Sequence, residues 1–209
     1  MPSTDLLFPF LLATIVFAVI PGPAILYTAA QTLARGRRGG LLASLGIHIG
    51  GFVHVIAAAA GLSAVLEMIP DLYAAVRLAG AAYLVWLGWT MMRRRFDAEA
   101  LPEVRDRDAR RAFLESIMVE ALNPKAAMFY LAFLPQFVDA GAAWPAWLQF
   151  LILGWLVNLT FSIADLVTIA LTDRLLMGLR HSQTGARLLR MTGGATLMGL
   201  GLHLATSRQ

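Results

Sequence analysis

Six apolar stretches follow one another along this 209-residue chain, at roughly 6–32, 41–66, 72–92, 113–137, 146–171 and 188–205. A helix rises about 1.5 Å per residue and the hydrocarbon core of a bilayer is about 30 Å thick, so each stretch is long enough to cross. One such run can be a buried helix of a soluble core. Six in series leave a soluble fold too little polar surface. Only 14% of the residues are charged, against roughly a quarter in a soluble domain, so much of the surface is expected to face something other than water. The run nearest the N-terminus carries Asp5 and no basic residue ahead of it. That is the wrong charge for the leading part of a signal peptide, and the run is expected to be the first span.

Arginine sets the expected orientation. The formal net charge is +4, and all basic residues but Lys125 are Arg. Arg35, Arg37 and Arg38 follow the first stretch; Arg93, Arg94, Arg95, Arg105, Arg107, Arg110 and Arg111 follow the third; Arg174, Arg180, Arg187 and Arg190 follow the fifth. Only Arg77 and Arg208 fall on the other side. Positive loops stay in the cytoplasm, which predicts a multi-pass protein of the cytoplasmic membrane with both termini outside. Membrane-flanking charge also explains the basic balance without a nucleic-acid partner. The strongly charged segment 93–112 is expected to be a cytoplasmic linker between two halves, about 1–95 and 110–209, of a single domain.

The two halves resemble each other. Arg77, Gly80, Ala82, Leu84, Leu87 and Gly88 in the third stretch coincide without a gap with Arg190, Gly193, Ala195, Leu197, Leu200 and Gly201 in the sixth. The first and fourth stretches are each interrupted by proline, at Pro21-Gly22-Pro23 and at Asn123-Pro124. Three spans per half mean that the halves enter the membrane in opposite directions. The predicted fold is therefore all-α: six transmembrane helices as two inverted three-helix repeats, the first and fourth helices broken at proline. Proline removes a backbone donor and frees carbonyls of the preceding turn. In hydrocarbon those groups need protein, water or a ligand as partner, and paired broken helices are where many secondary transporters bind substrate. A packing kink is the plainer use of a membrane proline.

Charged and polar residues cluster near these breaks. Lys125 sits in the middle of the fourth stretch, where a charge costs about 2.5 kcal/mol or more unless it is paired or faces a polar cavity. Asp165 on the fifth stretch is its expected partner, either as a direct pair or across a shared cavity. Glu120 would lie about 140° from Lys125 on an unbroken helix. Gly154, Asn158, Ser162 and Asp165 fall on one face of the fifth stretch, a polar stripe that belongs to the interior. Gly46, Gly50, His54 and Gly61 form a small-residue face on the second, where another helix can approach closely. His48 lies off that face and is given no role. A helix–helix clamp between Lys125 and an acid, with no transport role, would also satisfy the charges.

Several chemistries are disfavoured. The chain has no cysteine, which removes disulfides and thiolate metal sites. It contains no phosphate-binding G-x-x-x-x-G-K-[ST] loop, no His-Glu zinc motif and no pattern calling for a cofactor. An ion gradient is then the natural energy source, with Asp165 and Glu120 as candidate proton carriers.

At these motifs the chain resembles the LysE/RhtB family of bacterial amino-acid exporters, nearly end to end. The residues that carry the likeness are Pro21-Gly22-Pro23, the run from Ala34 through Arg35-Gly36-Arg37-Arg38-Gly39-Gly40 to Leu41, Gly80-Ala81-Ala82-Tyr83-Leu84 with Leu87-Gly88, and Asn123-Pro124-Lys125-Ala126-Ala127 continuing to Leu134-Pro135-Gln136-Phe137-Val138. Asp165 falls where that family places an acid in the fifth span. Ala24 departs from the pattern, which commonly has a polar residue there, and Glu120 adds an acid. The resemblance implies efflux of amino acids or close derivatives without a nucleotide.

The expected function is secondary-active export of an amino acid through a midplane site formed by Pro21, Gly22, Pro23, Asn123, Pro124, Lys125, Asn158 and Asp165. No catalytic residue, metal or cofactor is expected, and the partners are a small-molecule substrate and the lipid bilayer. A homo-oligomer is compatible with such a surface. The alternatives are a metal-ion exporter of related architecture, disfavoured because no carboxylate, His or Cys cluster lies within one bilayer depth, and a membrane scaffold.

Overall fold

The structure is a computed structural model that describes residues 4–93, 109–139, 141–181 and 183–206. Most of the predicted linker lies outside the described residues. Eight α-helices are present among them: α1 Thr4–Ala18, α2 Pro23–Ala57, α3 Ser63–Met68, α4 Pro70–Arg93, α5 Ala109–Ala121, α6 Pro124–Phe133, α7 Ala146–His181 and α8 Gln183–Thr206. A π-helical turn at Ala58–Leu62 joins α2 to α3, and a 3-10 turn at Leu134–Phe137 comes after α6. The described residues contain no strand.

The first expected span is divided where the prolines stand, between the end of α1 at Ala18 and the start of α2 at Pro23. The fourth is divided likewise, and the axes 110–121 and 124–137 meet at 41°. Within α2 the chain reverses at Gly36, whose φ of 67° and ψ of −175° interrupt the helix. A Cβ on Gly39 would lie 3.0 Å from the carbonyl oxygen of Gln31, although residues eight apart in a straight helix are separated by about 12 Å. Glycine is the residue that holds a positive φ at no steric penalty. The apolar run Pro23–Val65, mean hydropathy 1.8, is therefore two arms, 23–35 and 37–57 with its continuation, and not one long helix. Ala146–Thr172, mean hydropathy 1.9, is long and apolar enough to cross a membrane. The helices α4 and α8 have 24 residues each, about 36 Å at the helical rise. Several boundaries differ from expectation: α5 begins at Ala109 and α8 at Gln183, ahead of the predicted 113 and 188. The helix α7 runs to His181, beyond the predicted end at 171, because the apolar pattern stops at Asp173 and Arg174 while nothing in 172–181 breaks a helix.

Small residues set the packing. A Cβ on Gly201 would stand 2.7 Å from the carbonyl of Ala81, and one on Gly88 would run into the carbonyl of Gly194. Numbers rise along α4 as they fall along α8, so the two are antiparallel at close range. The arm 37–57 and α7 are antiparallel too, with Gly40 against Ile169, Gly51 against Asn158 and Val55 against Gly154. Between α1 and α6 the rings of Phe17 and Phe129 stack at 3.9 Å and those of Phe10 and Phe137 meet at 5.2 Å. These aromatics, with Phe133, Leu84 and Leu197, are the fully buried centre. The outside is apolar as well: Phe8 is 74% exposed, Leu122 72% and Ile56 61%. Large apolar side chains spread over the surface of a helical bundle are suited to lipid.

Candidate functional site

The two helix breaks meet. In the last turn of α1 the carbonyl of Phe17 accepts from the Ile20 N–H at 3.2 Å, that of Ile20 lies two residues beyond the helix end with no helical partner, and the partial charge at a helix C-terminus is negative. Lys125 supplies the partner from the other break. Its Nζ donates to the carbonyls of Ile20 at 2.5 Å and Phe17 at 3.2 Å, and lies 4.5 Å from the centre of the Phe17 ring. Gly22 is extended, at φ −144° and ψ −178°. A Cβ placed on it would be 2.7 Å from Lys125 Cδ. Pro23 starts α2 as Pro124 starts α6, in the first-turn position where a missing N–H leaves nothing unsatisfied.

Asn123 organises the second break. Its side-chain oxygen accepts from the backbone N–H of Lys125 at 3.0 Å, capping α6, while its amide donates to Glu120 Oε2 at 2.8 Å. The ring of His54, on the arm 37–57, hydrogen-bonds through Nε2 to the carbonyl of Glu120 at 2.8 Å. The expected separation of Glu120 from Lys125 does not hold. It assumed a continuous helix, whereas the chain turns at Asn123 and both side chains line one cavity.

Asn158, Ser162 and Asp165 bring the polar stripe of α7 to the same cavity. Asn158 donates to the carbonyl of His48 at 3.0 Å. Asp165 is buried, and no hydrogen bond ties its carboxylate to another described residue. It does not pair directly with Lys125. The two share the cavity, where the charges of Asp165 and Glu120 both act on the ammonium. Gly154 leaves the stripe: it packs on Val55 and Leu134, and its carbonyl accepts from the Tyr130 hydroxyl at 3.3 Å.

The small-residue face of the second stretch also divides. Gly46 and Gly50 let α5 approach, Gly46 against Ser116 and Gly50 against the carbonyl of Ile117. Gly61 faces nothing within 4 Å. The π-helical turn at Ala58–Leu62 adds width to that part of the helix and rotates α3 out of register with the arm 37–57. His48, to which the sequence assigns no role, belongs beside the site: its Nδ1 hydrogen-bonds Ser162 Oγ at 2.5 Å. Positions 40, 48, 51 and 55 form a second face of that helix, turned to α7, and this spacing was the available signal.

Gly22, Glu120, Asn123, Lys125, Asn158 and Asp165 thus line one small space of about 30 Å³. That is room for a water or two. Among the described residues no group of three or more His, Asp or Glu is gathered that could hold a metal ion.

Charged and amide side chains gathered at paired helix breaks, inside a bundle whose exterior is apolar, are features of a helical membrane protein. The chain belongs to the LysE type translocator family, whose model matches residues 15–208. It is 30% identical over 203 residues to an uncharacterized membrane protein of Pseudomonas aeruginosa, covering 95% of this chain and 94% of that one. A membrane protein of Vibrio cholerae is 29% identical over 199 residues, 95% of this chain and 96% of the relative. The leucine efflux protein of Klebsiella pneumoniae is 32% identical over 143 residues, 65% of each chain. No solved structure matches.

Proposed function

We propose that this protein is a secondary-active exporter of amino acids or close derivatives in the bacterial cytoplasmic membrane, driven by the proton gradient. The chain is one transporter domain, 1–209, of two inverted three-helix halves, about 1–95 and 110–209, with the arginine-bearing ends of the helices in the cytoplasm and both termini outside. The family and the leucine efflux relative support amino-acid export. The packing supports the inverted halves. In the internal repeat Ala81 corresponds to Gly194 and Gly88 to Gly201. Gly88 meets Gly194 and Gly201 meets Ala81, so exchanging the halves maps one contact onto the other, as a two-fold axis requires.

The observation that carries the reading is the ammonium of Lys125 seated on the carbonyls of Phe17 and Ile20 at the first helix break. A free amino acid carries the same two charges that this arrangement can accept. Its carboxylate draws Lys125 away, with the Asn158 amide as a second donor. Its ammonium then takes the carbonyls of Phe17 and Ile20 that Lys125 releases. Bound substrate and free site are each neutralised, so substrate can leave as readily as it binds. Asp165 and Glu120 are the two candidates for carrying the proton. The cavity is too small for an amino acid in this conformation, so loading requires the halves to move apart, as alternating access demands.

Amino-acid release from cells loaded with mixed dipeptides tests this, with and without a protonophore and beside Lys125→Ala. Release of particular amino acids that needs both Lys125 and the gradient is expected. Absence of excess release of any amino acid, from protein shown to be in the membrane, refutes it.

A further inference from the structure

A larger space lies elsewhere among the described residues. A cavity of about 390 Å³ lies between the hairpin at Gly36 and the start of α5, lined by Gln31, Arg35, Arg38, Leu42, Ala43 and Phe113 among others. It is roughly thirteen times the central space of about 30 Å³ and within the range of about 300–1,000 Å³ typical of small-molecule sites. One side carries guanidinium and amide groups, the other aliphatic and aromatic carbon. Arg38 is exposed and Gln31 is buried.

A thin partition separates it from the central cavity. Tyr27, Ala43 and Ile47 form a buried cluster with Ala24 and Val119 packed against it. Ala43 faces the arginine-lined cavity, while Ala24 and Ile47 line the central one. The Tyr27 hydroxyl anchors the partition, lying 3.1 Å from the carbonyl of Ala112 and 3.3 Å from Glu115 Oε2, and Ala112 itself lines the arginine-lined cavity.

We propose that this cavity is a second substrate site, a loading vestibule that takes an amino acid with an apolar side chain by its carboxylate, with Tyr27 as the partition to the central site. The inference rests on the export reading, under which these arginines are cytoplasmic. Arg38 binds the carboxylate as a planar donor fork, and Leu42, Ala43 and Phe113 cover the side chain. Removing Tyr27 and its neighbours from the path opens one continuous route to Asn123, Lys125 and Asp165. An anionic lipid headgroup beside an acyl chain has similar chemistry, and the test separates the two.

The chain has no cysteine, so Leu42→Cys carries a single thiol on the vestibule wall. Its labelling by a charged maleimide is tracked in phosphatidylcholine nanodiscs, first with a mixture of the twenty amino acids and then with L-leucine alone. Amino acid is expected to slow labelling several-fold. Arg38→Gln in the same background removes that protection, and Lys125→Ala leaves it intact while abolishing export. Should Leu42→Cys fail to accumulate, Ala112→Cys reports from the opposite wall. Labelling unaffected by any amino acid, from a chain that still exports, overturns the vestibule alone. Protection gained in phosphatidylglycerol nanodiscs and not from amino acid overturns it in favour of a lipid site. Absence of both protection and export overturns the export reading with it.

Discussion

Lys125, the only lysine of the chain, donates to the carbonyl of Ile20 at 2.5 Å across 105 residues of sequence. The bond joins the two helix breaks, and the acceptor is a backbone carbonyl just past the end of α1 instead of a carboxylate. A lysine held by an acid in low dielectric is an ion pair whose rupture leaves two charges exposed to the interior. A lysine on carbonyls can be replaced by another ammonium with no net change in the groups satisfied. The arrangement therefore fits a seat that substrate takes over better than it fits a permanent clamp. Lys125→Met keeps the length of the stem and removes the charge. It is expected to lower amino-acid release about tenfold or more with membrane abundance within about twofold of the parent, since a buried charge and its desolvation penalty are lost together. Release and abundance are measured on the same cells, and parallel loss of both would mark a clamp.

Gly22→Ala tests the same seat from the other side. The added Cβ would meet Lys125 Cδ at 2.7 Å and Nζ at 3.3 Å, and the backbone there is extended, so any residue can adopt it. The flexible lysine stem must yield. Folding is expected to change little, while release falls several-fold because the ammonium no longer reaches Phe17 and Ile20. Thermal unfolding in detergent and the release assay separate the two effects. An alanine variant with parental release would detach Lys125 from the mechanism.

Glycines at the α4–α8 contact make a paired prediction. Gly88→Val and Gly201→Val each place carbon against backbone of the opposing helix, a neighbour that cannot rotate away, and overpacking of this kind costs about 1–3 kcal/mol. Both are expected to lower the unfolding temperature by similar amounts, as two ends of a reciprocal contact. Gly61→Val, with nothing within 4 Å of the new Cβ, is expected to leave it within a degree or two. Equal effects at all three sites would remove the close helix approach as the cause.

These contrasts mark what a sequence carries and what it withholds. The breaks at Pro21-Gly22-Pro23 and Asn123-Pro124 were legible because proline acts on its own backbone, whatever surrounds it. The hairpin at Gly36 was legible as charge between apolar runs. The partner of Lys125 was not, because a backbone carbonyl has no residue type to betray it and the natural sequence guess is an acid. Glu120 was misjudged in angle for a related reason. Helical spacing is computed along a straight axis, and here the axis bends 41° between Glu120 and Lys125. His48 was missed because a helix packed on two sides has two buried faces. The glycines at 46 and 50 signalled one face by residue type, while the other was marked by spacing alone and is identified by the contacts of Gly40, Gly51 and Val55 with α7.

The two buried acids differ in their surroundings, and this separates their predicted roles. Glu120 accepts from the Asn123 amide at 2.8 Å while its carbonyl accepts from His54, so it braces the second break. Asp165 has no such tie among the described residues and shares the cavity with Lys125 and Asn158, which leaves its carboxylate available to take up and give back a proton as the cavity opens. Glu120→Gln preserves an acceptor for Asn123 and is expected to keep gradient-driven release within about threefold of the parent. Asp165→Asn fixes the neutral form. It is expected to abolish accumulation against a concentration gradient while retaining exchange of labelled for unlabelled amino acid across proteoliposomes, because exchange needs the site to bind and reorient but no net proton movement. Counterflow and protonophore-sensitive efflux measured on both variants decide the matter. Loss of coupling in Glu120→Gln with Asp165→Asn still coupled would exchange the roles, and loss of both exchange and efflux in Asp165→Asn would make that residue part of the binding site alone.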